Sequence, residues 1–148
     1  MQALDTFLFA ALPYVALVVF LVGTIYRYRA TSFKYSSLSS GFLEKRTLFF
    51  GSVPFHWGIM FLFLGHLIAF LFPRSVLAWN SEPVRLLILE VTAFIFGLCV
   101  LVGLIMLIAR RVTSPRIRSV SNYMDVVIVG LLVVQTVLGL WTALEFRW

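Results

Sequence analysis

The sequence predicts an all-α integral membrane protein, a bundle of four transmembrane helices with its N-terminus outside. The first observation is composition, since 61% of the 148 residues are hydrophobic, 12% are charged and the mean hydropathy is +1.02. Soluble domains carry about twice that share of charged residues. The second is that four almost uncharged stretches each reach the roughly 20 residues that a helix needs to cross a bilayer. The third is the placement of the basic residues.

The four predicted spans follow one another along the chain with short connections between them. They cover residues 7–26, 47–72, 86–109 and 126–144. Pro73 and Pro83 bracket a short outer loop between the second and third spans, because proline ends or begins helices. A length of 148 residues allows one domain, so residues 1–148 are predicted to form a single transmembrane domain.

Basic residues indicate which ends of the spans lie in the cytoplasm. Nine of the twelve Lys and Arg residues fall in two groups, one after the first span and one after the third: Arg27, Arg29, Lys34, Lys45 and Arg46, then Arg110, Arg111, Arg116 and Arg118. Connections rich in Lys and Arg stay on the cytoplasmic side of a membrane. Both groups are therefore predicted to be cytoplasmic, and the net charge of +6 reflects topology rather than binding of nucleic acid.

The only two histidines lie in the second span, within PFHWGIMFLFLGHL, residues 54–67. Ten positions rise about 15 Å along a helix and leave two side chains about 80° apart around its axis. His56 and His66 cannot share one metal ion, whose ligands must all lie about 2 Å from it. Each can ligate its own centre, as the axial imidazoles of two b-type haems at different depths would. Histidines that join helices or relay protons are the alternative.

Glycines and arginines accompany the two histidines. Gly58 and Gly65 lie on one face of the second span, where they either admit a flat macrocycle or pack against another helix. Arginines at the span ends are candidates for the anionic haem propionates. Arg110 and Arg111 end the third span on the predicted inner side, although topology alone accounts for them. Two more flank the outer loop, where the positive-inside bias does not explain them: Arg74 and Arg85.

The chain resembles the gamma, cytochrome b, subunit of membrane-bound respiratory nitrate reductase over essentially all of its 148 residues. The specific parts are FHWGI followed by GHL in the second span, and RRVTSPRIR after the third. The resemblance implies a subunit of the cytoplasmic (inner) membrane that oxidises menaquinol or ubiquinol near its outer side and carries the electrons inward through two b haems. It also implies partners: an iron–sulfur (beta) subunit at the inner face, a molybdenum-containing (alpha) subunit that reduces nitrate, and membrane lipids.

The resemblance also assigns roles to individual residues. His56 would ligate the inner haem and His66 the outer haem. Gly65 and His66 border the quinol pocket in the family, and a family lysine that contributes there is replaced by Arg85. The family normally has a fifth membrane helix with two further histidines, so this chain supplies half of the ligand set. We expect that it lacks the C-terminal part of a longer protein; ligands from another chain, or a single-ligand variant, are the other possibilities.

Two other functional classes stay open at the level of sequence. One is a haem-b membrane anchor of a different respiratory oxidoreductase, from which the identity of the partner subunits would distinguish this chain. The other is a non-redox four-helix scaffold or transporter, in which the histidines only pack helices or relay protons. The visible absorption spectrum of the protein separates this second class, because only a haem protein has b-type bands.

Overall fold

The computed structural model describes residues 2–31, 45–119 and 121–145, which are almost entirely helical and include no strand. The helices are α1 (Gln2–Thr6), α2 (Leu12–Thr31), α3 (Lys45–Leu71), α4 (Pro73–Asn80), α5 (Pro83–Thr113), α6 (Pro115–Arg118) and α7 (Tyr123–Glu145), with a π-helical segment (Phe7–Ala11) between α1 and α2. Lys34, assigned from sequence to the first cytoplasmic connection, lies outside the described residues.

Four helical stretches are long and apolar enough to span a membrane, which confirms the predicted fold class. They are Ala3–Ala30, Leu48–Leu71, Pro83–Thr113 and Tyr123–Glu145. The helices containing the first, third and fourth predicted spans extend beyond the predicted boundaries. With 31 residues, α5 is about 46 Å long, so it extends beyond the roughly 30 Å of a bilayer's hydrocarbon core. The orientation of the N-terminus stays a prediction.

The chain divides into two units, Met1–Leu38 and Ser39–Trp148. The first consists of α1, the π-helical segment and α2, which run on from one another. Pro13 explains the π-helical turn, because proline has no amide hydrogen for the carbonyl of Phe9 and its ring crowds that carbonyl. The amide of Leu12 donates instead to the carbonyl of Phe7, five residues earlier. The second unit holds all the candidate site residues.

In the second unit, α5 is the central helix. It packs against both α3 and α7, and no contact joins α3 to α7 among the described residues. The buried apolar side chains follow from this arrangement: Val100 and Leu104 of α5 are 2% and 1% exposed. Most other large apolar side chains are exposed, as the lipid-facing surface of a membrane protein requires.

Glycines bring the backbones of α3 and α5 close together. A Cβ on Gly58 would lie 2.8 Å from the carbonyl oxygen of Phe96, and one on Gly103 would lie 2.7 Å from the amide nitrogen of Phe55. Small residues allow membrane helices to approach in this way. Of the two alternatives for Gly58, helix packing is therefore the one found, and Gly58 does not leave room for a macrocycle.

Two short helices occupy connections in which the sequence predicts no helix. The outer loop between Pro73 and Pro83 contains α4, which begins at Pro73 and contacts both α3 and α5. Proline suits the first position of a helix, where an amide hydrogen would have no partner. Between α5 and α7, α6 buries Ile117, which is 1% exposed, and the Arg118 guanidinium donates to the carbonyl of Val112 near the end of α5.

Candidate functional site

The first histidine is held by its own helix. In residues 52–56, the His56 turn, the imidazole Nδ1 of His56 lies 2.7 Å from the carbonyl oxygen of Ser52. A carbonyl oxygen can only accept a hydrogen bond, so Nδ1 carries the hydrogen and donates it. Nε2 of the neutral ring then keeps its lone pair. A histidine that ligates a metal has this form, with one ring nitrogen donating to a backbone carbonyl and the other free to bind.

The second histidine repeats the same geometry ten residues later. In residues 62–66, the His66 turn, Nδ1 of His66 lies 2.7 Å from the carbonyl oxygen of Leu62. The donor and acceptor are again four residues apart, so the helix itself sets the ring orientation. Both imidazoles therefore present Nε2 with a free lone pair, at two heights along α3 that differ by about 15 Å.

Both imidazoles lie on exposed parts of α3 rather than in its contact with α5. At about 100° per residue, His56 lies about 160° around the helix from the buried Gly58, and His66 lies about 80° from it. Both histidines are accordingly exposed. A ligand can thus approach either Nε2 without separating α3 from α5.

The surroundings of the two histidines differ. His56 is in edge-to-face contact with Phe55, with ring centroids 5.1 Å apart; midway between the two histidines, Phe61 stacks on Phe96 of α5 at 4.4 Å. Next to His66, Gly65 is exposed, and a Cβ placed on it would meet nothing within 4 Å. On the face opposite the His56 imidazole, α3 therefore packs closely on α5, whereas open space adjoins Gly65 beside the His66 turn.

The residues at each histidine fit a haem, the group that the sequence predicts there. Among the described residues, no three or more His, Cys, Asp or Glu side chains lie together as a metal-binding cluster. Haem iron does not need such a cluster, because the porphyrin supplies the equatorial nitrogens and the protein adds axial ligands. One exposed imidazole with a free Nε2 at each height matches that requirement.

The candidate arginines lie toward opposite ends of the second unit. Arg110 is 5% exposed, and Nη2 of its neighbour Arg111 lies 3.6 Å from Oδ2 of Asp125 at the start of α7. Gly58 packs near Phe96 and Gly51 near Leu107, so this end of α5 lies beyond the His56 turn. Arg74 and Arg85 lie toward the other end, where α4 and α5 begin, in the half that contains the His66 turn.

Two contacts near these residues were not predicted. The Arg85 guanidinium lies 4.8 Å from the ring centroid of Trp79, a cation–π contact between α5 and α4. Asp125 accepts from the amide of Asn122 at 3.0 Å and so caps α7 while it pairs with Arg111. The Asn-x-x-Asp spacing is a sequence signal for the cap, but the partner of Arg85 depends on how α4 folds.

Among the described residues, four helices of membrane-spanning length indicate a multi-pass membrane protein, and each of its two imidazoles has the form in which histidine ligates a metal. The family model described as nitrate reductase gamma subunit matches residues 5–148, and the chain belongs to this family, as the sequence predicted.

Individual relatives agree with this assignment. The chain is 35% identical over 143 residues to the respiratory nitrate reductase 1 gamma chain of Escherichia coli (strain K12), which covers 96% of this chain and 64% of that protein. It is 34% identical over 134 residues to the nitrate reductase gamma chain of Bacillus subtilis (strain 168), covering 89% and 60%. The chain therefore spans less than two thirds of the length of these relatives.

Proposed function

We propose that residues 1–148 form a dihaem cytochrome b domain that oxidises quinol and carries electrons inward within a respiratory nitrate reductase complex. The observation that carries this proposal is the repeated geometry on α3. At both histidines Nδ1 donates to a carbonyl four residues earlier, 2.7 Å away, which leaves Nε2 free. Membership of the nitrate reductase gamma subunit family supports nitrate as the final electron acceptor, on another subunit.

His56 would hold the inner haem and His66 the outer haem. When bound, the two haems supply one-electron redox centres at two depths in the membrane. The hydrogen bond from Nδ1 increases the electron-donating strength of Nε2 and fixes the ring plane. Each ring must be neutral to ligate, and the Nδ1–H to carbonyl bond selects the neutral tautomer with Nε2 available. These 148 residues contain two histidines, so further imidazole ligands would come from outside them.

The quinol would bind beside the His66 turn. Gly65 leaves open space next to the helix backbone, and Arg85 offers a guanidinium that can donate hydrogen bonds to a quinol oxygen. Trp79 holds this guanidinium by its cation–π contact at 4.8 Å. Arginine differs from the lysine of the family in being planar and always charged, so stacking on an aromatic ring suits it better. Oxidation at this end of the protein would release the quinol protons outside.

The remaining arginines would complement the haem propionates. We assign Arg110 and Arg111 to the inner haem and Arg74 to the outer haem, because each lies in the same half of the second unit as the corresponding histidine. Arg111 also pairs with Asp125 at 3.6 Å, so its charge is shared with α7. Guanidinium groups bind paired oxygens of carboxylates with high directionality, which is the chemistry that propionates require.

The proposed direction of electron flow follows from the basic residues. Connections that contain Arg110, Arg111, Arg116 and Arg118 would lie on the cytoplasmic side of the inner membrane by the positive-inside rule. The inner haem would then adjoin the iron–sulfur (beta) subunit, which would deliver electrons to the molybdenum-containing (alpha) subunit. Menaquinol or ubiquinol from the surrounding lipid would be the electron donor.

A reduced-minus-oxidised visible spectrum tests this proposal on membranes that contain the chain with its partner subunits. We expect b-type bands that appear on addition of a quinol analogue and decay on addition of nitrate. A folded complex that retains no haem would contradict the proposal and favour a non-redox scaffold. Haem bands that quinol reduces but nitrate does not reoxidise would instead favour the membrane anchor of another respiratory oxidoreductase.

A further inference from the structure

The residue four positions before each histidine differs between the two turns. At the His56 turn it is Ser52, whose hydroxyl oxygen lies 3.0 Å from Nδ1 of His56. At the His66 turn it is Leu62, which has no polar side-chain atom. The backbone bond from Nδ1 is 2.7 Å in both turns, so the hydroxyl is the difference between the hydrogen bonds of the two imidazoles.

The Ser52 hydroxyl behaves differently from the threonine hydroxyls of the same unit. Thr113, Thr136 and Thr142 each donate to the carbonyl four residues earlier, the common arrangement in helices. The oxygen of Ser52 instead lies beside the histidine four residues later. Because the Nδ1 hydrogen is directed to the Ser52 carbonyl and hydroxyl together, the hydroxyl oxygen acts as a second acceptor for it.

We propose that Ser52 is a positioning residue that sets the redox potential of the centre held by His56, and of that centre only. The inference rests on the proposed function, in which His56 ligates the inner haem. A second acceptor on Nδ1–H makes Nε2 a stronger donor to iron, and a stronger donor stabilises the oxidised metal. The carbonyl of Ser52 is also shared with the helix's own backbone hydrogen bond, whereas the hydroxyl is a separate acceptor. Ser52 therefore lowers the midpoint potential of the His56 haem.

The test is a redox titration of the assembled complex in membranes, followed by visible absorption and by electron paramagnetic resonance of each haem. The two haems are assigned with His56→Ala and His66→Ala, each of which leaves one. We expect Ser52→Ala to retain both haems. The equilibrium constant for reduction of the His56 haem should rise about threefold, which raises its midpoint potential by about 30 mV for a one-electron couple. The His66 haem should titrate as in the wild type.

Two further variants make the test independent of folding defects. Ser52→Thr keeps a hydroxyl at the same position and should restore the wild-type potential, which a purely steric role of Ser52 would not do. Leu62→Ser introduces the missing hydroxyl at the His66 turn and should lower the potential of the His66 haem alone. If Ser52→Ala loses the His56 haem, retention of it in Ser52→Thr supports the hydroxyl, and its loss there overturns the inference.

The possible failures are distinguishable. Unchanged potentials in Ser52→Ala and Leu62→Ser, with both haems present, would overturn the role of Ser52 and leave the proposed function intact. An equal shift of both haems in Ser52→Ala would also overturn it, because the hydroxyl contacts one imidazole only. Absence of haem from the wild-type complex would overturn the proposed function itself.

Discussion

The His56 turn and the His66 turn share a local geometry but differ in what surrounds them. In both, Nδ1 donates to a carbonyl 2.7 Å away and four residues earlier. Two residues after His56, Gly58 is pressed against the backbone of α5, whereas Gly65, one residue before His66, has open space around it. The helix alone thus sets the orientation of each imidazole, and the packing of α3 on α5 determines how accessible its surroundings are. The open space beside Gly65 suits a site that must admit a substrate.

Removal of either imidazole is expected to have the largest effect, because it removes the only ligand that this chain offers to one haem. It tests whether the two turns hold separate centres. His56→Ala and His66→Ala should each lose one haem, halving the haem absorbance, and should lower quinol-driven nitrate reduction roughly 100-fold or more. The response of the haem that remains in each variant to a quinol analogue distinguishes the two turns. A quinol analogue should still reduce the haem left in His56→Ala, but not the haem left in His66→Ala. Loss of neither haem in either variant would contradict the assignment.

Substitution of the two glycines tests the difference in packing. A Cβ on Gly58 would meet the Phe96 carbonyl oxygen at 2.8 Å, a backbone atom that cannot move without shifting α5. Gly58→Ala should therefore lower the free energy of unfolding by about 1–3 kcal/mol. Gly65→Ala is the matched control and should change it by less than about 0.5 kcal/mol. Denaturation in detergent micelles, followed by circular dichroism, measures both. Equal losses of unfolding free energy in Gly58→Ala and Gly65→Ala would show that the two halves of α3 are packed alike.

The contact between Trp79 and Arg85 tests whether the open side near the His66 turn binds quinol. Trp79→Leu removes the ring that holds the guanidinium, so the KM for a quinol analogue should rise about twofold to fivefold, the range expected for an exposed cation–π contact. The kcat should change little, since the haem ligands are untouched. Trp141→Leu is a suitable control, because Trp79 and Trp141 are similarly exposed, at 54% and 57%. The same KM in both variants would argue against a quinol at this site.

The ion pair between Arg111 and Asp125 is expected to matter least. Their side chains are 30% and 43% exposed, and such pairs contribute about 0–1 kcal/mol. Asp125→Asn should therefore lower the unfolding free energy by no more than about 1 kcal/mol and leave the potential of the His66 haem unchanged. Glu145→Gln, at the opposite end of α7, serves as the control in the same denaturation and redox titrations. A shift in the His56 haem alone would show that Arg111 contributes to its propionate environment.

Much of the fold could be predicted because hydrocarbon imposes simple constraints on sequence. The four spans follow from runs of apolar residues, and the separation of His56 and His66 follows from the rise and rotation per residue of a helix. The helix α4 was missed because its eight residues begin at one proline and end shortly before another, a pattern that also fits a loop. Proline at its first position was the available signal.

The detailed environment of the site depended on tertiary packing. Gly58 and Gly65 are equivalent in sequence, seven residues apart on one face, and only the crossing of α3 with α5 shows that one is covered and the other open. The partner of Arg85 likewise depends on the position of α4. The role of Ser52 was within reach of sequence, since residues four apart in a helix lie on the same face. The signal is the serine four residues before His56, on the side of the second ring nitrogen.

The close approach of α3 and α5 has a consequence for how this protein tolerates insertions and deletions. Gly58 of α3 and Gly103 of α5 bring the two backbones into close contact, which holds the segment around His56 in register with α5. One residue inserted or deleted between Gly58 and His66 would turn the second imidazole by about 100° and move it by about 1.5 Å relative to the first. Exposed side chains in this interval other than Phe61 and Gly65 can vary as lipid-facing residues do. The length of this interval is not free to vary, because the eight peptide units from Gly58 to His66 determine where the second imidazole lies.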